Sequence, residues 1–175
     1  MVLKGDWIMD LKSKNQQFID RLEKDAALKA RRDELVKGQH PETLVITCSD
    51  SRVVPEMIFN CSLGELFVIR TAGNVINEGE LASVEYAIEH LKVKHIVVLG
   101  HTHCGAVHAA INNENGKYMD PILNRIRKNI NGVDNELIAT TMNAIGEVDY
   151  LKEKFPEFKG TIEYKIYDIE TSLAF

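Results

Sequence analysis

Three short apolar runs constrain the fold of this chain more than any other feature of its sequence. They read TLVIT (43–47), LFVIR (66–70) and HIVVL (95–99), and they are rich in β-branched residues without clear alternation between apolar and polar positions. Runs of this kind are typical of strands that are buried on both faces, which occur in parallel sheets. The segment between the second and third runs has helical periodicity, with apolar residues on one face at Leu81, Val84, Ala87, Ile88 and Leu91. The sequence therefore predicts a βαβ unit with a right-handed crossover.

Helical periodicity also occurs on either side of this unit. Residues 6–36 carry apolar side chains at spacings of three to four, which predicts one or two amphipathic helices ahead of the sheet, at Trp7, Leu11, Phe18, Leu22 and Ala26. Two further helices are predicted at about 120–130 and 135–154. The tail TIEYKIYDIE (161–170) nearly alternates, as a half-exposed edge strand would.

These elements predict one α/β domain over residues 1–175, with no repeat or linker. Residues 1–40 would form an N-terminal helical arm, and residues 41–175 would form the α/β core. The core is expected to hold a mainly parallel sheet that is flanked by helices, with an antiparallel edge strand near the C-terminus.

Charge and cysteine content exclude several classes of function. The formal net charge of −5 argues against nucleic-acid binding, which needs clustered lysine and arginine. No segment approaches the roughly 18 apolar residues that a membrane span requires. Asp6 and Asp10 stand where a signal peptide would have its apolar stretch, so we expect a cytoplasmic protein. Three cysteines in such a compartment suit metal binding or catalysis better than disulfides.

Chemically reactive residues directly follow two of the predicted strands. The first run continues into CSDSR (48–52), and the third continues into GHTHCG (100–105). Ligands of open parallel sheets bind at the carboxyl ends of the strands, so both motifs are expected at the same edge of the sheet. If the two strands are neighbours, three side chains that can bind zinc converge there, namely Cys48, His101 and Cys104.

Two thiolates and one imidazole would leave a tetrahedral zinc with one open position, which is the arrangement of catalytic sites. Asp50 and Arg52 stand beside the first ligand, where the guanidinium can pair with both carboxylate oxygens and keep the acid ionised. Cys61 has no partner at ligand spacing and is predicted to be a packing residue. His103 and His108 flank the third ligand and are predicted to lie off the metal.

At these residues the sequence resembles a known family. CSDSR, followed after the third strand by GHTHCGAV, is similar to the paired signature of β-class carbonic anhydrases. The stretches GELFVIRTAGN and SVEYAIEHL are also similar to that family, so the resemblance covers residues 43–110. The tail YKIYDIET resembles the family's last strand more weakly.

The resemblance implies a zinc-dependent enzyme that hydrates carbon dioxide reversibly to bicarbonate and a proton, by means of a zinc-bound hydroxide. It implies one Zn²⁺ per chain, a mainly parallel sheet of four or five strands, and assembly as a homodimer or homotetramer. Carbon dioxide and bicarbonate would be the small-molecule partners, and neither nucleic acid nor membrane is expected.

The resemblance also assigns roles to individual residues. The zinc ligands would be Cys48, His101 and Cys104, and the catalytic dyad would be Asp50 with Arg52. Backbone N–H groups near Gly105 are expected to bind the oxygens of the substrate. Some members have a closed state in which the acid releases its arginine and binds zinc, and for this chain we favour the open state.

Two other functions remain compatible with the sequence. A hydrolase of carbonyl sulfide or carbon disulfide could use the same scaffold, because both are linear molecules that would react by similar chemistry. A catalytically silent zinc-binding regulator is the other alternative, although it would need neither Asp50 nor Arg52. A zinc deaminase and a thiol oxidoreductase are disfavoured, because the P-C-x-x-C and C-x-x-C motifs are absent.

Overall fold

The computed structural model describes residues 10–175, within which the chain has four strands and seven α-helices. In chain order they are α1 (Leu11–Lys24), α2 (Ala26–Leu35), β1 (Thr43–Cys48), α3 (Pro55–Ile58), β2 (Leu66–Thr71), α4 (Glu78–Glu89), β3 (His95–His101), α5 (Gly105–Ile111), α6 (Asp120–Ile130), α7 (Glu136–Lys154) and β4 (Thr161–Tyr167), with a 3₁₀ turn at Ala72–Asn74 after β2. No helix in this part of the chain combines the length and the apolar character needed to cross a membrane.

Helices α1 and α2 belong to a compact unit that ends at Gly38. Asp25 separates them, and its side chain accepts a 2.9 Å hydrogen bond from the N–H of Leu28 in the first turn of α2. A carboxylate at this position satisfies a backbone donor that the helix itself leaves unpaired. The structure therefore has two helices where the sequence predicts one or two, and Trp7 lies outside the described residues.

The second compact unit, 39–175, contains the sheet. Its strand order is β2-β1-β3-β4, and every neighbouring pair is parallel. Thr43 of β1 lies beside Leu66 of β2 on one side and beside His95 of β3 on the other. The two central strands, β1 and β3, are buried along nearly their whole length, which explains why their sequences do not alternate. The predicted parallel α/β fold is confirmed, while the treatment of residues 1–40 as an arm of a single domain stays a prediction.

Each face of the sheet has its own apolar layer. One face packs against α4 and α7 through Leu44, Ile46, Ile96, Val98 and Ile166 from the strands and Val84, Ala87, Ala144, Val148 and Leu151 from the helices. The opposite face carries the alternate residues of the same strands, Val45, Val97 and Leu99, which pack with Val53 and the side chains around α3. Because successive residues of a strand point to opposite faces, one unbroken apolar run supplies both layers.

The predicted antiparallel edge strand is wrong, because β4 runs parallel to β3 with Thr161 beside His95. Helix α7 spans 19 residues, or about 28 Å, and carries the chain back to the end of the sheet where β3 begins. The alternation of residues 161–167 reflects one exposed face of an edge strand and gives no information on its direction. The chain does pair in antiparallel fashion after β4, where Phe175 of the tail exchanges backbone hydrogen bonds of 2.8 and 3.1 Å with Ile166 of that strand.

The packing of the central strands gives a test of the core. Ile96 of β3 is fully buried, so Ile96→Ala should lower the free energy of unfolding by about 2–5 kcal/mol and Ile96→Val by about 0.5–1.5 kcal/mol. Met57→Ala, at a side chain that is 79% exposed, should change it by no more than about 0.5 kcal/mol. Guanidinium unfolding followed by circular dichroism measures all three, and equal effects of Ile96→Ala and Met57→Ala would contradict the burial of Ile96.

Candidate metal centre

Two strand ends and one helix start bring three potential metal ligands together. Cys48 is the last residue of β1, His101 is the last residue of β3, and Cys104 immediately precedes α5. Since β1 and β3 are parallel neighbours, their carboxyl ends lie side by side. The sulfur and nitrogen ligand atoms of the three residues all lie within 4.8 Å of one another, and all three residues are buried. The convergence that the sequence predicts at this edge is thus present.

The spacing of the two sulfurs fits a tetrahedral zinc. Cys48 Sγ and Cys104 Sγ are 4.0 Å apart, and both cysteines are free thiols. Zinc–sulfur bonds of about 2.3 Å at a tetrahedral angle would place two sulfurs about 3.8 Å apart. The pair is therefore close to the separation that zinc requires.

The imidazole is oriented for coordination. His101 Nδ1 lies 2.9 Å from the carbonyl oxygen of Thr102, which can only accept, so the proton of the neutral ring lies on Nδ1. The other nitrogen, Nε2, is buried and has no hydrogen-bond partner. Within residues 10–175 the only other buried side-chain atom in this condition is Asn74 Nδ2. A buried nitrogen with a free lone pair is costly unless something binds it, and a metal ion would do so.

The two thiols differ in their tendency to ionise. The hydrogen bond with the Cys104 thiol lowers the pKa of Cys48 well below that of an ordinary thiol, although burial works in the opposite direction. The N–H of Gly73 also donates to Cys48 Sγ, at 3.3 Å. The same thiol–thiol bond, and then burial, raise the pKa of Cys104. A divalent cation that binds sulfur would favour the deprotonated form of both thiols, as is usual for thiolate ligands.

An aspartate–arginine pair lies beside this cluster. Arg52 binds both oxygens of Asp50, with Nε 3.0 Å from Oδ1 and Nη2 2.7 Å from Oδ2. Its backbone N–H donates to Oδ1 as well, at 2.9 Å. Asp50 Oδ2 lies 4.0 Å from His101 Nε2. The hydrogen bonds from Arg52 hold the pKa of Asp50 far below its usual range, so this carboxylate is ionised and can only accept hydrogen bonds.

Arg70, at the end of β2, also contributes to the site and is not predicted from the sequence. Its Nε donates to the carbonyl oxygen of Cys48 at 3.2 Å, and its Nη2 donates to that of Asp50 at 2.7 Å. These bonds fix the backbone on either side of Ser49. A single charged residue at the end of the apolar run 66–70 is the signal that could have drawn attention to it.

The remaining candidates lie outside the cluster. His103 and His108 are exposed and are hydrogen-bonded to Glu170 and Glu136, respectively. Cys61 is half-buried, and its Sγ contacts the carbonyl oxygen of Phe59 at 3.6 Å. Gly105 is the first residue of α5, and its part in binding substrate stays a prediction.

The site belongs to a recognisable chemical class. Two thiols and an imidazole at the carboxyl edge of a parallel sheet, with an ion pair alongside, form a set of three ligands that could hold a metal ion such as zinc and leave one coordination position open. The carbonic anhydrase family model matches residues 43–171 of the chain, and the matched region contains every residue of this centre. The chain belongs to the carbonic anhydrase family, and its solved structural relatives place it in the β class.

Individual relatives show how far this similarity extends. Carbonic anhydrase 2 of Mycobacterium tuberculosis is 40% identical over 126 residues, which cover 69% of this chain and 61% of that protein. A carbonic anhydrase of Synechococcus elongatus is 56% identical over 81 residues, which cover 43% of this chain and 30% of that protein. The chain therefore spans less than two thirds of the length of either relative.

The solved structures are matched over a larger share of their length. The β-carbonic anhydrase CafA of Aspergillus fumigatus aligns with a TM-score of 0.77 at 29% identity, over 94% of this chain and 88% of that one. A tetrameric β-carbonic anhydrase of Sordaria macrospora aligns with a TM-score of 0.77 at 26% identity, over 94% and 93% of the two chains. The sheet and its flanking helices are thus shared with proteins of this family.

Cys48, which lies in the cluster, and Cys61, which does not, provide a matched test of the ligand set. Cys48→Ser should remove most bound zinc, because a serine hydroxyl does not ionise to replace the thiolate. Cys61→Ser should retain zinc at the level of the unmodified chain, since Cys61 is not in the cluster. Metal content after gel filtration, measured by plasma emission spectroscopy, separates the two variants. Equal zinc in both would exclude Cys48 as a ligand.

Proposed function

We propose that this protein is a zinc-dependent carbonic anhydrase that interconverts carbon dioxide and water with bicarbonate and a proton. The observation that carries the proposal is the buried Cys48–His101–Cys104 cluster with the ionised Asp50 beside it. Membership of the carbonic anhydrase family supports the same activity.

The cluster is proposed to hold one zinc ion per chain through Cys48 Sγ, His101 Nε2 and Cys104 Sγ. Zinc bound in this way is a Lewis acid that lowers the pKa of water and so supplies a nucleophile near neutral pH. Two thiolate ligands cancel the formal charge of the ion, and this weakens its effect on water compared with three neutral imidazoles. A second group that acts on the reacting water is therefore required.

Asp50 is proposed to be that group. Because its carboxylate is ionised, Oδ2 accepts a hydrogen bond from the reacting water and cannot donate one. Once the reacting water has released one proton to solvent, accepting a hydrogen bond from its remaining O–H leaves a lone pair free to attack the carbon of carbon dioxide and form bicarbonate. The position of Oδ2, 4.0 Å from His101 Nε2, places the acceptor next to the ligand set.

Arg52 is proposed to hold Asp50 in this role. Its two side-chain bonds occupy both carboxylate oxygens, and a third bond from Nη2 to the carbonyl oxygen of His103, at 3.1 Å, fixes the guanidinium itself. A bidentate pair of this kind restricts rotation of the carboxylate as well as keeping it charged. The arrangement is the one expected of the open state, which we favour for this chain. A silent zinc-binding regulator would have no need of this pair.

Assembly and location are also proposals. We propose that the chain forms a homodimer or homotetramer, which is supported by the tetrameric enzyme of Sordaria macrospora with the same fold. We propose a cytoplasmic location, because a reducing compartment keeps Cys48 and Cys104 available as free thiols. Light scattering on the purified chain tests the first proposal.

The role of Asp50 can be tested by removing its charge alone. Asp50→Asn should lower kcat/KM for carbon dioxide hydration by about 10²-fold or more while zinc content is unchanged. The amide nitrogen can donate a hydrogen bond to the reacting water, whereas the carboxylate only accepts one, so the lone pair of the water would no longer be free to attack. Stopped-flow hydration across pH gives the rate, and activity of the unmodified chain should rise through an alkaline pKa. Asp149→Asn, at an exposed carboxylate outside the site, is the control and should retain full activity.

Two results would contradict the proposed function. Stoichiometric zinc without hydration activity in the unmodified chain would exclude a carbonic anhydrase. Faster turnover of carbonyl sulfide than of carbon dioxide, measured side by side, would favour the sulfur-compound hydrolase instead. Full activity of Asp50→Asn would leave the overall reaction in place and exclude Asp50 from it.

A further inference from the structure

A buried ion pair lies between α6 and α7. The side chain of Glu147 is fully buried, and Arg125 binds both of its oxygens, with Nε 2.8 Å from Oε1 and Nη2 3.1 Å from Oε2. Asn129 Nδ2 donates to Oε1 at 2.9 Å, and the N–H of Ile76 donates to Oε2 at 3.3 Å. The carboxylate therefore accepts four hydrogen bonds.

A pair of this kind is weak evidence for stability on its own. Burying two charges costs solvation energy that their attraction only partly offsets, and apolar residues of similar volume often stabilise a fold as well or better. What the pair does is therefore better judged from the residues that it contacts than from its contribution to stability. Two asparagine side chains connect it to the loop that contacts Cys48.

The connection runs through Asn129 and Asn143. Asn129 Nδ2 bridges Glu147 Oε1 and Asn143 Oδ1, the latter at 3.1 Å. The fully buried Asn143 then donates from Nδ2 to the carbonyl oxygen of Gly73 at 2.8 Å. Gly73 in turn donates its N–H to Cys48 Sγ. We call this series of bonds, from Arg125 to Gly73, the polar chain.

Glu147 at one end of the polar chain and the carbonyl oxygen of Gly73 at the other both act as acceptors, and this fixes the direction of the bonds between them. A carboxylate can only accept, so Asn129 must present its amide nitrogen to Glu147 and its second N–H to Asn143 Oδ1. Asn143 is then left with its own amide nitrogen facing Gly73, whose carbonyl oxygen is also only an acceptor. The acceptors at the two ends thus permit a single arrangement of the two amides.

Gly73 is held in a conformation and a space that suit few other residues. Its φ is +65°, which is in the left-handed region that favours glycine. A Cβ built there would come within 2.8 Å of Ile126 Cδ1 and 3.1 Å of Ala106 Cβ. The backbone of Gly73 therefore packs closely against Ile126 and Ala106, and in this position its N–H reaches Cys48 Sγ at 3.3 Å.

We propose that the polar chain positions Cys48 as a metal ligand. Asn143 links the Arg125–Glu147 pair to Gly73, and so holds the Gly73 N–H in place for its hydrogen bond to Cys48 Sγ. The inference rests on the proposed function only in taking Cys48 to bind zinc. Hydrogen bonds to the groups around a metal orient the ligands and adjust their electron donation, and their loss weakens metal binding by about 10- to 100-fold. Asn143 and Glu147 are positioning residues, since neither belongs to the ligand cluster.

A glycine in α7 offers a second way to break the polar chain. A Cβ on Gly146 would lie 2.5 Å from Asn129 Cγ and 2.6 Å from its Oδ1, so Gly146→Ala must displace the Asn129 side chain. Alanine otherwise favours the helix over glycine, and the variant should fold. Gly79→Ala in α4 is the matched control, because its Cβ would meet nothing within 4 Å.

The test compares the full-length chain with Asn143→Leu, Gly146→Ala, Gly79→Ala and Val148→Ala. Zinc affinity is measured by competition with a chromophoric chelator, and the cobalt(II)-substituted proteins are compared by their thiolate-to-cobalt charge-transfer bands. Asn143→Leu and Gly146→Ala should each weaken zinc binding by about 10- to 100-fold and shift the charge-transfer bands in the same direction. Gly79→Ala should match the unmodified chain in both measurements.

Val148→Ala distinguishes positioning from general loss of stability. Val148 is buried in α7 but contributes to the apolar layer rather than to the polar chain, so its truncation should destabilise the fold without shifting the cobalt bands. Unmodified zinc affinity and cobalt bands in Asn143→Leu and Gly146→Ala would overturn the proposal, as would equal changes in Val148→Ala. Neither readout requires turnover, so zinc-loaded protein without hydration activity would contradict the proposed function and leave this inference standing.

Discussion

The parallel pairing of β1 with β3 is the interaction on which the rest of the site depends. It brings the end of one strand, at Cys48, beside the end of the other, at His101, and α5 starts close enough to add Cys104. Two apolar layers hold these strands rigidly, because the same runs of residues face helices on one side and the α3 region on the other. The positions of the three side chains at the carboxyl edge of the sheet are thus set by a close-packed core in which little movement is possible.

Around this pairing, arginines perform three different tasks. Arg70 fixes the backbone that follows β1, Arg52 fixes a carboxylate, and Arg125 neutralises a charge inside the helical layer. Each arginine donates to a backbone carbonyl or a carboxylate whose position is fixed by the surrounding structure. A planar guanidinium suits such fixed acceptors better than the flexible ammonium of a lysine would. The site is consequently surrounded by groups whose orientation is settled before any ligand arrives, which is the general requirement for efficient catalysis.

The sequence predicted the parts of the molecule that depend on local pattern. Buried strands, the helix between them and the two motifs at their ends are visible as runs and spacings, and the Cys48–His101–Cys104 convergence follows from the rule for parallel sheets. The direction of β4 was not predictable from its own alternation, because that pattern is the same for either direction at a sheet edge. Arg70 and Asn143 were missed because their roles consist of bonds to backbone atoms that are distant in sequence.

The distance along the chain between the two cysteines of the cluster has a consequence for the order of events in folding. Cys48 and Cys104 are 56 residues apart, with β2, α4 and β3 between them. A chain that has not yet completed this crossover has no compact set of donors to offer, and closing so long a loop is entropically unfavourable. Binding of a metal ion by this cluster would therefore follow the assembly of the sheet. A cation that binds only the finished fold then stabilises it by mass action.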